Sequence, residues 1–235
     1  MRPLLLLPLL AACSASSAAE RRETVTDFDR IRVDGDFQVE VRTGPPASVV
    51  ISGPQRGVDA TQVSVQGRTL VIRRSTQSWG GWPGSVPQAT RLRVTAPVLS
   101  QAALAGSGRL SVDRMRAQRV SVSLAGSGSV EVAQVQADQA GVAAQGSGLV
   151  RVGGAAASVT LSSLGSGTSD LSKLAANDLR VTASGSGTVT ASARRSAAVN
   201  ASGSGDVTVV GSPACTVANA GSGTVTCGSD KTQRR

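Results

Sequence analysis

From Phe28 to Leu99, apolar and polar residues alternate over short runs: Ile31 and Val33; Phe37, Val39 and Val41; Val49 and Ile51; Val63 and Val65; Leu70 and Ile72; Leu92 and Val94. A period of two predicts strands with one buried face. Turn signals at Asp34-Gly35, Gly44-Pro45-Pro46, Gly53-Pro54 and Gln66-Gly67 separate the runs. No stretch carries a helical period with caps, so the expectation is an all-β chain.

Beyond Leu99 the alternation locks onto a repeat. Gly-Ser-Gly triplets begin at Gly106, Gly126, Gly146, Gly165, Gly185, Gly203 and Gly221, at spacings of 20, 20, 19, 20, 18 and 18 residues. Four residues before each triplet stand Ala102, Val122, Val142, Leu161, Val181, Val199 and Val217. Two residues after it stand Leu110, Val130, Val150, Ser169, Val189, Val207 and Val225. Each period therefore holds at least two short strands joined at a glycine corner, where positive φ and close approach of neighbouring coils are both tolerated. The period is too short for a strand-helix crossover and fits one rung of a solenoid. The expected fold is a right-handed parallel β-helix, a β-solenoid with 18–20-residue rungs cornered by Gly-Ser-Gly. Gly-Ser-Gly repeats also occur in flexible linkers, and the intervening Val-x-Val pattern is what sets this chain apart from one.

The N-terminus reads as a targeting segment. Arg2 gives a basic start, Leu4 to Leu10 an apolar stretch, and Leu10-Ala11-Ala12-Cys13 a lipobox in which the Cys13 thiol takes the lipid. Ser14 after the cysteine favours the outer membrane over the inner one. The alternative is soluble periplasmic or secreted export, with cleavage after Ala19. On the first reading residues 1–12 are a lipoprotein signal peptide, 13–27 a lipid-anchored tether, 28–228 a single β-helix domain and 229–235 a polar tail. With Cys13 lipidated, Cys215 and Cys227 remain to pair in an oxidising compartment. Both occupy inward slots: Cys215 that of Val120, Val159 and Leu179, and Cys227 that of Val112, Val132, Val152 and Val209.

Composition narrows the chemistry. Histidine is absent, which removes His-based triads and His-bearing zinc sites. Two Phe, two Trp and no Tyr suit a thin core of Val, Ala and Leu. The net charge of +9 points to anionic envelope polymers or lipid headgroups, since export makes nucleic acid an unsuitable partner.

The opening "FDRIRVDGDFQVEVRTG", then "VISG", "GRTLVIRR" and "LRVTAPVLSQAALAGSG", followed by the repeating valine and Gly-Ser-Gly pattern, resembles the auto-transporter adhesin "head GIN" domain family of bacterial envelopes. The resemblance covers about Phe28 to Gly228. It implies a β-helix without a catalytic motif or a cofactor, and an adhesin-like role.

Three features are candidate sites. Trp79 and Trp82 share a Gly/Pro-rich loop, and between Ala60 and Val112 the chain carries Arg68, Arg73, Arg74, Arg91, Arg93 and Arg109 but no Asp or Glu. An aromatic loop beside Arg73, Arg74, Arg91 and Arg93 suits an anionic glycan or lipid phosphates, or else covers an open flank of the solenoid. Glu131, Arg151 and Asp170 share one outward slot in successive rungs, as a ligand face or as cross-rung charge pairing. Thr188, Thr190, Thr208, Thr224 and Thr226 form an outward threonine ladder. The expectation is a non-catalytic outer-membrane lipoprotein that binds an anionic glycan or an envelope protein. A carbohydrate-active enzyme on the same scaffold, a polysaccharide lyase or hydrolase, is the alternative.

Overall fold

The computed structural model describes residues 19–75 and 90–228, and the backbone of 232–233. Eight elements build its first end: β1 (Ala19–Glu23), β2 (Arg30–Asp34), β3 (Gln38–Thr43), β4 (Ser48–Gly53), the single-turn helix α1 (Gln55–Asp59), β5 (Thr61–Gln66), β6 (Thr69–Arg74) and β7 (Arg91–Ala96). Stacking order departs from chain order here. β2 lies in parallel between β6 and β8 (Gln101–Ala105), and β3 between β7 and β9 (Arg109–Arg116). The outermost rung is therefore β6 with β7. Antiparallel strands close it: β5 on β6, β4 on β7, and β1 on β4. Covering a sheet end in this way limits recruitment of foreign strands.

Two expectations change at this end. Residues 19–23, placed in the tether by their polarity, form β1, because β4 offers them a free edge and Arg21 donates to the Thr61 carbonyl at 2.7 Å. Helix α1 departs from the purely β reading. Pro54 precedes it with φ −59°, its carbonyl accepts from the Gly57 and Val58 amides, and Val58 is buried. One turn is too short to print an apolar period on the sequence.

The rest is a β-solenoid. β10 (Arg119–Gly126), β11 (Ser129–Gly146), β12 (Leu149–Gly165), β13 (Thr168–Gly185), β14 (Thr188–Gly203), β15 (Asp206–Gly211), β16 (Ala214–Gly221) and β17 (Val225–Cys227) stack in parallel register. Short β18 (Thr232–Gln233) pairs antiparallel with β17, so residues 232–233 of the expected polar tail join the sheet. Long strands bend within themselves. In β11, burial alternates through Val130 and Val132, breaks at exposed Ala133-Gln134, resumes at Val135, and breaks again at Asp138-Gln139. Each full rung thus has three sides: one leading to the triplet, one leaving it, and a short third side of about three residues.

Side chains inside the tube stack on their own kind. The column Ala102, Val122, Val142, Leu161, Val181, Val199 runs through the first side at 3% exposure or less. Burial of each such valine or leucine contributes roughly 1.5–3 kcal/mol. At the last rung the columns end in Cys215, Val217 and Asn219, and no described rung covers them. Cys215 and Cys227 are joined by a disulfide with Cα atoms 6.4 Å apart. Cys227 is buried, but Cys215 is exposed although its neighbour Ala197 is not. Its inward slot is correct and its expected burial is not, because burial needs a further rung.

The triplets are the corners. Six of the first glycines hold φ between +108° and +123°. A Cβ on any of them would stand 2.3–2.6 Å from the carbonyl oxygen of the glycine one rung earlier. The ladder has an eighth member that the triplet search passes over. Gly35, at φ +134°, lies under Gly106. In that rung Asp36 and Phe37 stand where Ser107 and Gly108 stand in the next.

Candidate functional site

The arginines near the first end divide between two sides of the tube. Arg73 and Arg74 end β6, while Arg91 and Arg93 lie on β7. β6 stacks on β2 and β7 on β3, so Arg74 and Arg91 lie on either side of the corner that Gly35 turns in the adjoining rung. Trp79 and Trp82 lie outside the described residues. Three of the four arginines are engaged: Arg74 with Asp36 at 2.5 Å, Arg73 with the Gln62 side chain at 3.0 Å, and Arg91 with that of Gln38 at 3.3 Å. Arg93 makes no hydrogen bond or ion pair among the described residues. Its register neighbour Glu40 instead accepts from Arg42 at 2.9 Å. Arg68 pairs with Asp29 at 3.1 Å. Acids outside the Ala60–Val112 window thus neutralise Arg68 and Arg74, while Arg73 and Arg91 are held by neutral glutamines and keep their charge.

Glu131, Arg151 and Asp170 do share a column, which continues through Thr190, Thr208 and Thr226. No ion pair forms between Glu131 and Arg151 or between Arg151 and Asp170. Instead Asp170 accepts from the Ser172 amide at 3.1 Å and hydroxyl at 2.6 Å. Those bonds, with Arg151 and Lys173 nearby, hold its carboxyl below the usual range despite partial desolvation. A general acid needs the opposite shift. Of the threonines, Thr190, Thr208 and Thr226 form a continuous ladder. Thr188 faces Thr168 and Asp206, and the Thr224 amide donates to Asp206 at 3.0 Å. Among the described residues, no three Cys, Asp or Glu side chains converge as a metal site.

A large concave surface lies elsewhere, on the third side. Its volume is about 990 Å³, and its floor is made of Ala117, Ala137, Ala155, Ala156 and Ala175. Loop residues Pro97, Val98 and Leu99, with Thr43 and Gly44, close one end. Arg114, Arg116 and Arg194 stand around it against one carboxylate, Asp138. Arg116 and Arg194 make no hydrogen bond or ion pair among the described residues, and Arg114 reaches the Gln134 side chain at 3.3 Å. The neighbouring Arg195 is engaged differently: it pairs with Asp178, which also accepts from Ser196 at 2.7 Å. The Arg195 and Ser196 bonds lower the Asp178 pKa to about 2.

The groove exists because this side carries small residues where the first two carry valine and leucine. It also takes up every change in rung length. Ala133-Gln134 face a single Gly153, which shortens one rung to 19 residues. Ser172, Lys173 and Leu174 have no counterpart in β14, while Arg194 and Arg195 replace the lone Asn177, giving 18. Sequence reasoning missed the groove. The signal was the unequal triplet spacing together with the alanines of residues 155–157 and 175–176.

Comparison with known proteins follows this architecture. Residues 27–213 match the family described as "Putative auto-transporter adhesin, head GIN domain". A "putative adhesin" from Bacteroides fragilis NCTC 9343 is similar with a TM-score of 0.79 at 21% identity, over 90% of this chain and 97% of that one. A "putative lipid binding protein" from Parabacteroides distasonis ATCC 8503 gives a TM-score of 0.70 at 19% identity, over 89% of this chain and 96% of that one. A "putative adhesin" from Parabacteroides merdae ATCC 43184 gives 0.69 at 14% identity, over 88% and 95% respectively. At these identities the likenesses establish the fold alone. No curated protein matches the chain.

Proposed function

The chain belongs to the auto-transporter adhesin, head GIN domain family, and from that premise we propose that it is a non-catalytic, adhesin-like binding module of the bacterial cell envelope. Lipid on Cys13 holds it at the outer membrane, and the solenoid presents its sides to envelope ligands. The observation that carries this reading is the third-side groove, a large concave surface with free cations and an apolar floor. No helix among the described residues is long and apolar enough to cross a membrane, so the lipid is what attaches the domain in this proposal. A carbohydrate-active enzyme on the same scaffold would rely on Glu131, Arg151 and Asp170, and the depressed Asp170 carboxyl speaks against it.

The test has two parts. Metabolic labelling with an alkyne fatty acid should mark the wild-type protein in the outer-membrane fraction and not the Cys13→Ser variant; an unlabelled protein starting at Glu20 would replace anchoring with soluble export. Purified protein should then bind outer-membrane vesicles or isolated envelope glycans saturably without releasing reducing ends or unsaturated sugars. Trp79→Ala/Trp82→Ala, made alongside, shows whether the 75–90 segment takes part.

A further inference from the structure

We propose that the third-side groove is a binding site for a single acyl chain bearing an anionic headgroup, a phosphate-carrying amphiphile. This rests on the binding-module reading and names the ligand class at its main surface.

Four observations converge on that class. First, the residues Arg116, Gln136, Ala155 and Ala175 that line it stack in one column over three rung spacings, about 14 Å at roughly 4.8 Å each, so the trough runs along the stack as an extended chain requires. Second, its floor is alanine, edged by Gln118, Gln136 and Asn177, and its lining presents no aromatic platform of the kind a sugar ring stacks on. Third, exposed Pro97 and Val98, the latter 49% exposed, stand together at one end of it. Exposed apolar groups gathered on one side of a soluble domain mark a place that something covers. Fourth, Arg116 and Arg194 carry uncompensated charge at opposite ends of the trough. Arg68, Arg74 and Arg195, by contrast, are answered by Asp29, Asp36 and Asp178, whereas Arg93 on another side is free of such a partner among the described residues. Guanidinium groups left free beside an apolar floor complement a phosphate on an alkyl chain, through paired N–H donors at the head and area burial along the tail.

A polyanionic glycan would satisfy the arginines and leave the alanine and valine surface in water. Free phosphate would ignore the floor altogether. The acyl phosphate uses both.

The experiment uses the full chain carrying Cys13→Ser, so that no anchor competes for the trough. Calorimetric titration with 1-palmitoyl lysophosphatidic acid below its micelle concentration should show saturable one-to-one binding. The choline ester with the same chain should bind about tenfold more weakly, and glycerol 3-phosphate should not register. Ala155→Trp, which fills the outward floor without entering the core, should abolish binding. Arg116→Glu with Arg194→Glu should weaken it about tenfold while the circular dichroism spectrum stays that of the parent. Unchanged affinity in both variants would overturn the proposal. So would glycerol 3-phosphate binding as tightly as the palmitoyl probe, or an oligogalacturonate binding where the probe does not. Vesicle attachment that persists without any palmitoyl-probe binding would refute the acyl-chain site alone. Loss of both would remove the binding-module reading with it.

Discussion

The glycine ridge and the third side belong to the same rungs and tolerate opposite things. Along the ridge, every rung from Gly35 to Gly203 turns with positive φ, and from Gly106 onward a Cβ would press into the backbone of the neighbouring turn. No insertion, deletion or side chain fits. On the third side, bends come and go and one to three residues are gained or lost between neighbours, yet the sheet re-enters register at Asp178 and Ser196. The lesson is a division of labour: backbone-to-backbone contact enforces one invariant corner, and a groove can be shaped where only small outward side chains meet.

The sharpest way to break that comparison is to put a side chain on each. Gly185→Val meets φ +120° and the Gly165 carbonyl oxygen, 2.3 Å from a built Cβ. Strain and overpacking together should cost about 3–5 kcal/mol in urea denaturation. Ala155→Ser on the third side should change stability by less than about 0.5 kcal/mol. Equal effects at the two sites would end the distinction.

A second measure is chain length. One alanine inserted between Gly153 and Gly154 restores a 20-residue rung and should lower stability by about 1 kcal/mol. The same insertion between Ser147 and Gly148 should prevent cooperative folding, because it displaces the hydrogen bonds from Ser147 and Gly148 to the Gly126 carbonyl. Thermal melts of the two variants decide the matter.

The open end tests whether β16, which no described strand covers, depends on covalent closure. Cys215→Ser with Cys227→Ser removes a link across twelve residues. The expected loss is about 3 kcal/mol by loop entropy, with protection of β16 amides from exchange falling before that of β10 to β13. Uniform loss along the solenoid would show that the end is not a separate unit.

The smallest effect concerns acid. Asp178 has its pKa depressed to about 2 in the folded protein, below the ordinary carboxylate value near 3.8. Its stabilising contribution is therefore complete above about pH 4 and fades as pH falls toward 2. Asp178→Asn should flatten that part of the melting-temperature profile and leave the neutral range nearly unchanged, as befits an exposed pair. A profile identical to the parent below pH 4 would show that the pair has no linkage to folding.

Much of this was readable in the residues. The triplets announce corners because glycine is needed there for a local reason, its φ and its lack of Cβ. The valine columns announce register because strand alternation is local as well. Cys215 and Cys227 could be assigned to their slots by counting from the triplets. The N-terminal stacking could not, since nothing local says that β6 and β7 lie outside β2 and β3, which precede them. Gly35 escaped notice as a ladder member because Asp36 and Phe37 follow it where serine and glycine would complete the triplet. The groove escaped because its bends use ordinary residues such as Ala133-Gln134 and Ser172-Lys173, whose identities signal no turn.

The sequence by itself therefore determined the all-β solenoid, its rung length and the corner that repeats, all of which follow from steric limits within one turn of chain. Tertiary structure alone decided which strands close the first end, how acids from other rungs neutralise the Arg68 and Arg74 charges, and where the trough with Arg116 and Arg194 runs. Those depend on contacts between residues far apart in the chain, and such contacts leave no period to read.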